Sequence, residues 1–189
     1  RLHQLMRKDA EGLLRLLTGP RTHKVGIAFE ALILWGIEQG LGYTCLGKDI
    51  QIQDGKRTMG ALDLVLRAPD GAIEHWELAY KLFLQCDSNT GWSSWLGPRG
   101  RDRLDAKLRK MLHRQLPMSE VSEALQALMN LGVEKIDRRR LIMQGTLFCP
   151  WGSPPQRAFQ AHQEAQGIWI RLSQIAALTR RYPEGRWIQ

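Results

Sequence analysis

Cysteine is scarce in this chain: Cys45, Cys86 and Cys149 are odd in number and far apart, which excludes a paired zinc-ligand spacing and the disulfide framework of a small secreted fold. Reduced thiols in a cytoplasmic protein are expected. No apolar run reaches the length of a membrane span, no long amphipathic basic segment offers a membrane-surface helix, and nothing near Arg1 resembles a signal peptide. Internal repeats and low-complexity linkers are also absent. Acidic residues are in the minority, 19 Asp and Glu against 27 Lys and Arg, for a formal net charge of +8. That balance favours an anionic partner, nucleic acid before membrane. What is present is apolar material, 43% of 189 residues with 7 Trp, enough for a real core in a single α/β domain over residues 1–189.

The most informative stretch is Met59 to Lys81, which reads as a β-hairpin. Pro69-Asp70-Gly71 suits a three-residue loop, with Pro at the first turn position and Gly at the left-handed one. Ala68 then faces Ala72, and counting back pairs Leu66 with Glu74, Leu64 with Trp76, Asp63 with Glu77, Leu62 with Leu78 and Ala61 with Ala79. One face is mainly apolar; the other carries Asp63, Val65, His75, Glu77, Ala79 and Lys81. A two-residue Asp70-Gly71 loop would turn Glu77 to the opposite face, but it would also remove Trp76 and Leu78 from the face of Leu62, Leu64 and Leu66. Directly opposed side chains sit about 4.5–5.5 Å apart, so Asp63 and Glu77 would repel each other. A divalent cation removes that repulsion, since Mg²⁺ takes oxygen ligands and keeps waters that serve as nucleophiles. Lys81 could orient the water or stabilise charge on a phosphate. The alternative is an ordinary sheet with a solvated charged face, and His75 on that face is either a substrate contact or a histidine in ordinary hydrogen bonding.

Around the hairpin, Leu2 to Leu17 has helical spacing, stopped by Thr18-Gly19-Pro20. A second helix from Lys24 to Gln39 is apolar around most of its circumference, which implies burial against a sheet. Glu30 interrupts that surface. It is either buried with a basic partner or the hydration shell of a metal, or it lies at the helix edge paired with an arginine. A first strand, Tyr43 to Gln53, and an Asp54-Gly55 turn complete a meander. Trp92 and Trp95 stand in a loop, as base-stacking residues or as a lid over the core. Pro98 to Gln115 reads as one basic helix with Leu104, Leu108, Met111 and Leu112 at core spacing and Arg99, Arg101, Arg103, Lys107, Arg109, Lys110 and Arg114 facing outward. Those charges suit phosphate contacts, or a solvated face with pairs such as Asp105 to Arg109. A helix from Ser119, as cap, to Asn130 follows. Arg138-Arg139-Arg140 then enters a strand, Leu141 to Cys149, as a second phosphate contact or a soluble strand entry. Gly167 to Arg171 reads as a short strand and Leu172 to Thr179 as a helical turn or two, before Arg186-Trp187 near the end.

A helix with an embedded Glu, then GALDLVL, then HWELAYK, resembles the order of elements in the PD-(D/E)XK nuclease superfamily, over about Lys24 to Leu84. The phrases MGALDLVL, HWELAYKLFL, WLGPRGRDRLDAKLRKMLHRQL and GTLFCP, with GIWIRL and EGRWI towards the end, are similar to those of an uncharacterised bacterial family grouped with that superfamily by prediction. The resemblance implies a restriction-endonuclease-like fold: a mixed central sheet with an antiparallel meander, flanked by helices on both faces. It also implies Asp63 and Glu77 as ligands of Mg²⁺ or Mn²⁺, Lys81 as the catalytic lysine, and Glu30 as the helix acid behind the metal. One departure stands out. The superfamily's lysine usually lies two residues beyond the second acid, where this chain has Ala79; Lys81 is on the same face but about 6.6 Å further along the strand. The expected activity is hydrolysis of phosphodiester bonds, in DNA more than RNA, with a homodimer as one possible form. The alternative is a catalytically inactive nucleic-acid-binding or protein-assembly module on the same scaffold, because a fold alone does not establish an activity.

Overall fold

Helix α1 (Ala10–Thr18) begins at Asp9, whose carboxylate accepts from Gly12 N at 3.1 Å and from Trp35 Nε1 at 2.9 Å. One short acid therefore caps α1 and holds it to α2 (Val25–Leu41), which ends at left-handed Gly42. The structure is a computed structural model that describes residues 7, 9–19, 24–86, 91–153 and 165–184. The Arg186-Trp187 close lies outside the described residues, as do parts of the first helix and of the loop bearing Trp92. The chain divides into two compact units, Arg1–Lys81 with Ala106–Gln144, and Leu82–Asp105 with Gly145–Gln189.

In the first unit, β1 (Thr44–Asp54), β2 (Arg57–Arg67) and β3 (Ile73–Gln85) form the antiparallel meander. The three-residue loop is present: Ala68 N donates to Ala72 O at 2.9 Å, Gly71 N donates to Ala68 O, and Gly71 has φ +86°. Leu66 pairs with Glu74 and Leu64 with Trp76, as the apolar matching requires. On one face, Leu64, Leu66, Trp76 and Leu78 pack with Phe29 and Ile37 of α2. Helix α3 (Leu104–Lys110) continues through a π turn (Met111–Gln115) and a 3-10 segment (Leu116–Glu120) to α4 (Ser122–Met129). Ala124 and Leu128 of α4 pack with Val65, Ile52 and Met118 on the opposite face, because Val65 alternates with Leu64 and Leu66. Helices thus cover both faces.

Two expected helices start later than their spacing suggests. Pro98 to Arg103 is not helical, because Gly97 and Gly100 close a turn (Gly100 N to Gly97 O, 2.8 Å) and Gly100 is left-handed at φ +66°. Nor does Ser119 cap α4: Pro117 opens the 3-10 segment, Val121 is the extended residue before the helix, and Ser119 is buried without a hydrogen-bond partner for its hydroxyl among the described residues.

β5 (Arg138–Pro150) lies next to β3 in the sheet order. Its leading arginines are engaged by acids: Arg138 Nη2 with Asp70 at 2.6 Å, Arg138 Nε and Arg140 Nε with Glu74 at 2.8 and 2.6 Å, and Arg139 with Glu120. They brace the strand entry.

The second unit contains the ends of β3 and β5 with β4 (Trp95–Leu96), β6 (Ala165–Trp169) and α5 (Ile175–Arg181). Leu84 pairs antiparallel with Leu96, and β6 runs parallel to β5 from Thr146↔Ala165 to Pro150↔Trp169. The six strands therefore make a mixed, mostly antiparallel sheet in an α/β fold. Trp95 is buried while Trp92 is 43% exposed, so the two loop tryptophans have different fates. Among the described residues, no helix is long and apolar enough to cross a membrane.

Candidate functional site

The β2–β3 ladder runs from Arg67↔Ile73 to Leu64↔Trp76 and stops. Asp63 is the reason: its Oδ2 accepts from the Leu78 backbone N–H at 2.8 Å, a donor that a continued ladder would direct to a main-chain carbonyl. Asp63↔Glu77, Leu62↔Leu78 and Ala61↔Ala79 are therefore not ladder pairs. Leu62 also leaves the face of Leu64 and Leu66 and packs with Ile52 and Val65. Asp63 is where β2 parts from β3.

Glu77 is fully buried, yet in polar company. Its Oε1 faces His75 Nε2 at 3.0 Å and its Oε2 accepts from Gln115 Nε2 at 2.8 Å. With Nε2–H donating to the carboxylate, the other ring nitrogen, Nδ1, is buried with no partner among the described residues. His75 holds Glu77, which makes it a supporting residue.

Electrostatics collect further groups. Burial pushes the Asp63 carboxyl up to about 6; the Leu78 N–H opposes the shift, and the negative charges of Glu77, Glu30 and Asp49 add to it. Glu30 is half-buried on α2, and burial raises its carboxyl too, opposed by Lys48 and assisted by Asp49. Lys107 is half-buried and burial lowers its ammonium, as do Lys81 and Lys110, while Asp63 and Glu77 oppose them. Glu30, Asp63, Glu77 and Lys81 thus belong to one charged neighbourhood in the first unit, with Lys48, Asp49, Lys107 and Gln115.

Of the basic residues expected on one outward helix face, Arg99, Arg101, Arg103, Arg109 and Lys110 are exposed. Arg99, Arg101 and Arg103 belong to the second unit, where Arg103 Nη2 pairs with Asp105 at 2.6 Å. Lys107 departs from the expectation by turning inward. Its helical phase explains why: it lies three residues after Leu104 and four before Met111, both fully buried. That phase was legible in the sequence.

Asp49 carried a subtler signal. Aspartate is depleted in strands and tolerates left-handed backbone, and Asp49 has φ +51° within β1, at a price of about 1 kcal/mol for a non-glycine residue. It sits between Lys48 and Ile50, whose partners Leu64 and Leu62 flank Asp63. Gln115 left no comparable mark, since a lone polar residue ending a basic helix is ordinary.

The family model described as a domain of unknown function (DUF1853) matches residues 2–189. The chain belongs to the DUF1853 family. Neither the search of curated proteins nor that of solved structures gives a match. Among the described residues of this DUF1853 chain, no three His, Cys, Asp or Glu side chains are grouped as a metal site. The acids whose charge acts on Asp63 are Glu77, Glu30 and Asp49.

Proposed function

We propose that this DUF1853 chain is a metal-dependent phosphodiesterase acting on nucleic acid, DNA before RNA, on a scaffold of the PD-(D/E)XK kind. The observation that carries the reading is Asp63: a carboxyl pushed up to about 6 by burial while Glu77, Glu30 and Asp49 add negative charge around it. Burial together with neighbouring like charges is the arrangement that functional sites use to tune a carboxyl. The donor chemistry suits Mg²⁺ or Mn²⁺, hard ions that accept two carboxylates and fill their remaining positions with water. Asp63 and Glu77 would hold the ion, which when bound supplies charge neutralisation at the phosphate and an activated water. Asp63 is oriented for this by Leu78 N–H, and Glu77 by His75 and Gln115. Lys81 stabilises charge on the phosphate from β3, Glu30 keeps the site's field negative from α2, and Arg109 and Lys110 meet the nucleic-acid backbone. Arg99, Arg101 and Arg103 serve as further backbone contacts.

One observation favours a second reading, an inactive nucleic-acid-binding or assembly module: both Glu77 oxygens already take protein hydrogen bonds. Cleavage of labelled single- and double-stranded DNA and RNA in Mg²⁺, Mn²⁺ or EDTA separates the two. Metal-dependent cutting by the wild type that disappears in a folded Glu77→Ala variant is the expected result. Salt-sensitive binding with no cutting in any metal, in either protein, establishes the inactive module instead.

A further inference from the structure

Lys107 differs from its neighbours on α3 in what its ammonium meets. Nζ donates to Gln115 Oε1 at 3.3 Å, and Gln115 Nε2 donates to Glu77 Oε2 at 2.8 Å. The amide is thereby oriented from both ends. Reversing it would bring its NH₂ against the ammonium and its carbonyl against a carboxylate, so the lysine enforces the direction in which Gln115 holds Glu77. Gln115 lies eight positions after Lys107 and ends the π turn Met111–Gln115, the kind of helical irregularity frequent at functional sites.

An ammonium has three donors, and among the described residues that of Lys107 makes one long hydrogen bond, to a neutral amide. It is half-buried beside a second cation, Lys81, in the field of Asp63 and Glu77. A structural lysine in such a place would be closed by a carboxylate, as Arg138 and Arg140 are by Glu74. An oxyanion arriving from outside would satisfy the remaining donors.

We propose that Lys107 is a phosphate-contacting residue of this site, directing its ammonium to the nucleic-acid backbone at the acid pair, and that Gln115 is the positioning residue that couples it to Glu77. This deepens the nuclease reading and rests on it for the identity of the anion.

The test is binding of fluorescein-labelled DNA and RNA by the full chain, followed by fluorescence anisotropy across a salt series in EDTA, with cleavage measured in parallel in Mg²⁺ and Mn²⁺. Lys107→Met is expected to weaken binding about 10-fold and to reduce the slope of log K against log salt by about one, and Lys107→Arg to restore the slope. At saturating DNA its cleavage rate should fall about 100-fold or more. Should Lys107→Met fail to fold, Lys107→Gln replaces it with the same readouts. Wild-type affinity and slope in the charge-removing variant overturn the inference whatever the cleavage result. A reduced slope with no cleavage by the wild type in any metal keeps Lys107 as a phosphate contact and overturns the nuclease reading alone. No binding of either nucleic acid by the wild type overturns both.

Discussion

Glu74 and Glu77 lie three residues apart on β3 and are both fully enclosed, yet they are compensated in opposite ways. Burial pushes the Glu74 carboxyl up, but hydrogen bonds from Arg140 and Trp76 and the charges of Arg140 and Arg138 bring it below the ordinary carboxylate value. Arg140 also stacks over Trp76, 5.8 Å from the ring centroid. That network is closed, and its purpose is to join β5 to the hairpin. Glu77 is held by an amide and an imidazole, next to an Asp63 whose carboxyl is raised by burial and by neighbouring acids. Permanent cations mark the first carboxylate as architecture; the second region accumulates acids, and we propose that it is built for an exchangeable cation.

Breaking the closed network should have the largest effect. Glu74→Ala leaves Arg140, the Nε of Arg138 and the Trp76 N–H without their acceptor while Arg138 Nη2 keeps Asp70, and because both arginines are half-exposed the loss is expected at about 2–4 kcal/mol, measured by urea unfolding. Next comes the ligand effect. Mg²⁺ at about 10–100 times its Kd should stabilise the wild type by about 1.4–2.7 kcal/mol, and Glu74→Gln likewise, but not Asp63→Asn. Third, Asp63→Asn keeps an acceptor for Leu78 N–H while removing a raised acid, and should stabilise the metal-free chain by about 1 kcal/mol at pH 7 while abolishing cleavage.

The pH dependence sharpens the same contrast. A carboxyl raised from 3.8 to about 6 gives stability that is fully present below pH 3.8 and lost as pH rises through about 6, so the gain of Asp63→Asn should vanish near pH 4. Glu74, lowered in the folded state, gives stability present above its ordinary value of 4.5 and lost as pH falls through its lower folded value. Unfolding of the two variants across pH 3–8 should therefore deviate from the wild type with opposite slopes. The smallest effect belongs to the surface pair: Arg139→Ala, whose partner Glu120 is 62% exposed, should change stability by about 0.5 kcal/mol or less.

Much of the hairpin was readable because local turn chemistry and the apolar pattern agree: Pro69-Asp70-Gly71 sets the loop, and Leu64, Leu66 and Trp76 share a face. Alternation failed at Asp63 because a side chain replaced the backbone acceptor of Leu78, an event with no periodic signature. Glu30, Asp63, Glu77 and Lys81 could be gathered from pattern and resemblance. Lys107 shares the phase of Leu104 and Met111, but it stands in a dense run of basic residues whose charge pattern points outward. Gln115 depends on a π turn, and Ser119 lost its capping role to the neighbouring Pro117, both outcomes of packing beyond the reach of a local motif.

The most direct measurement is Mn²⁺ binding to the full chain, followed by titration calorimetry and by the loss of the free-ion electron paramagnetic resonance signal, in the wild type and in Glu74→Gln, Glu77→Gln and Asp63→Asn. One ion per chain in the wild type and Glu74→Gln, lost in Glu77→Gln and Asp63→Asn, is the predicted result. Absence of binding in the wild type, or equal binding in all four proteins, would contradict the claim that Asp63 and Glu77 form a cation site.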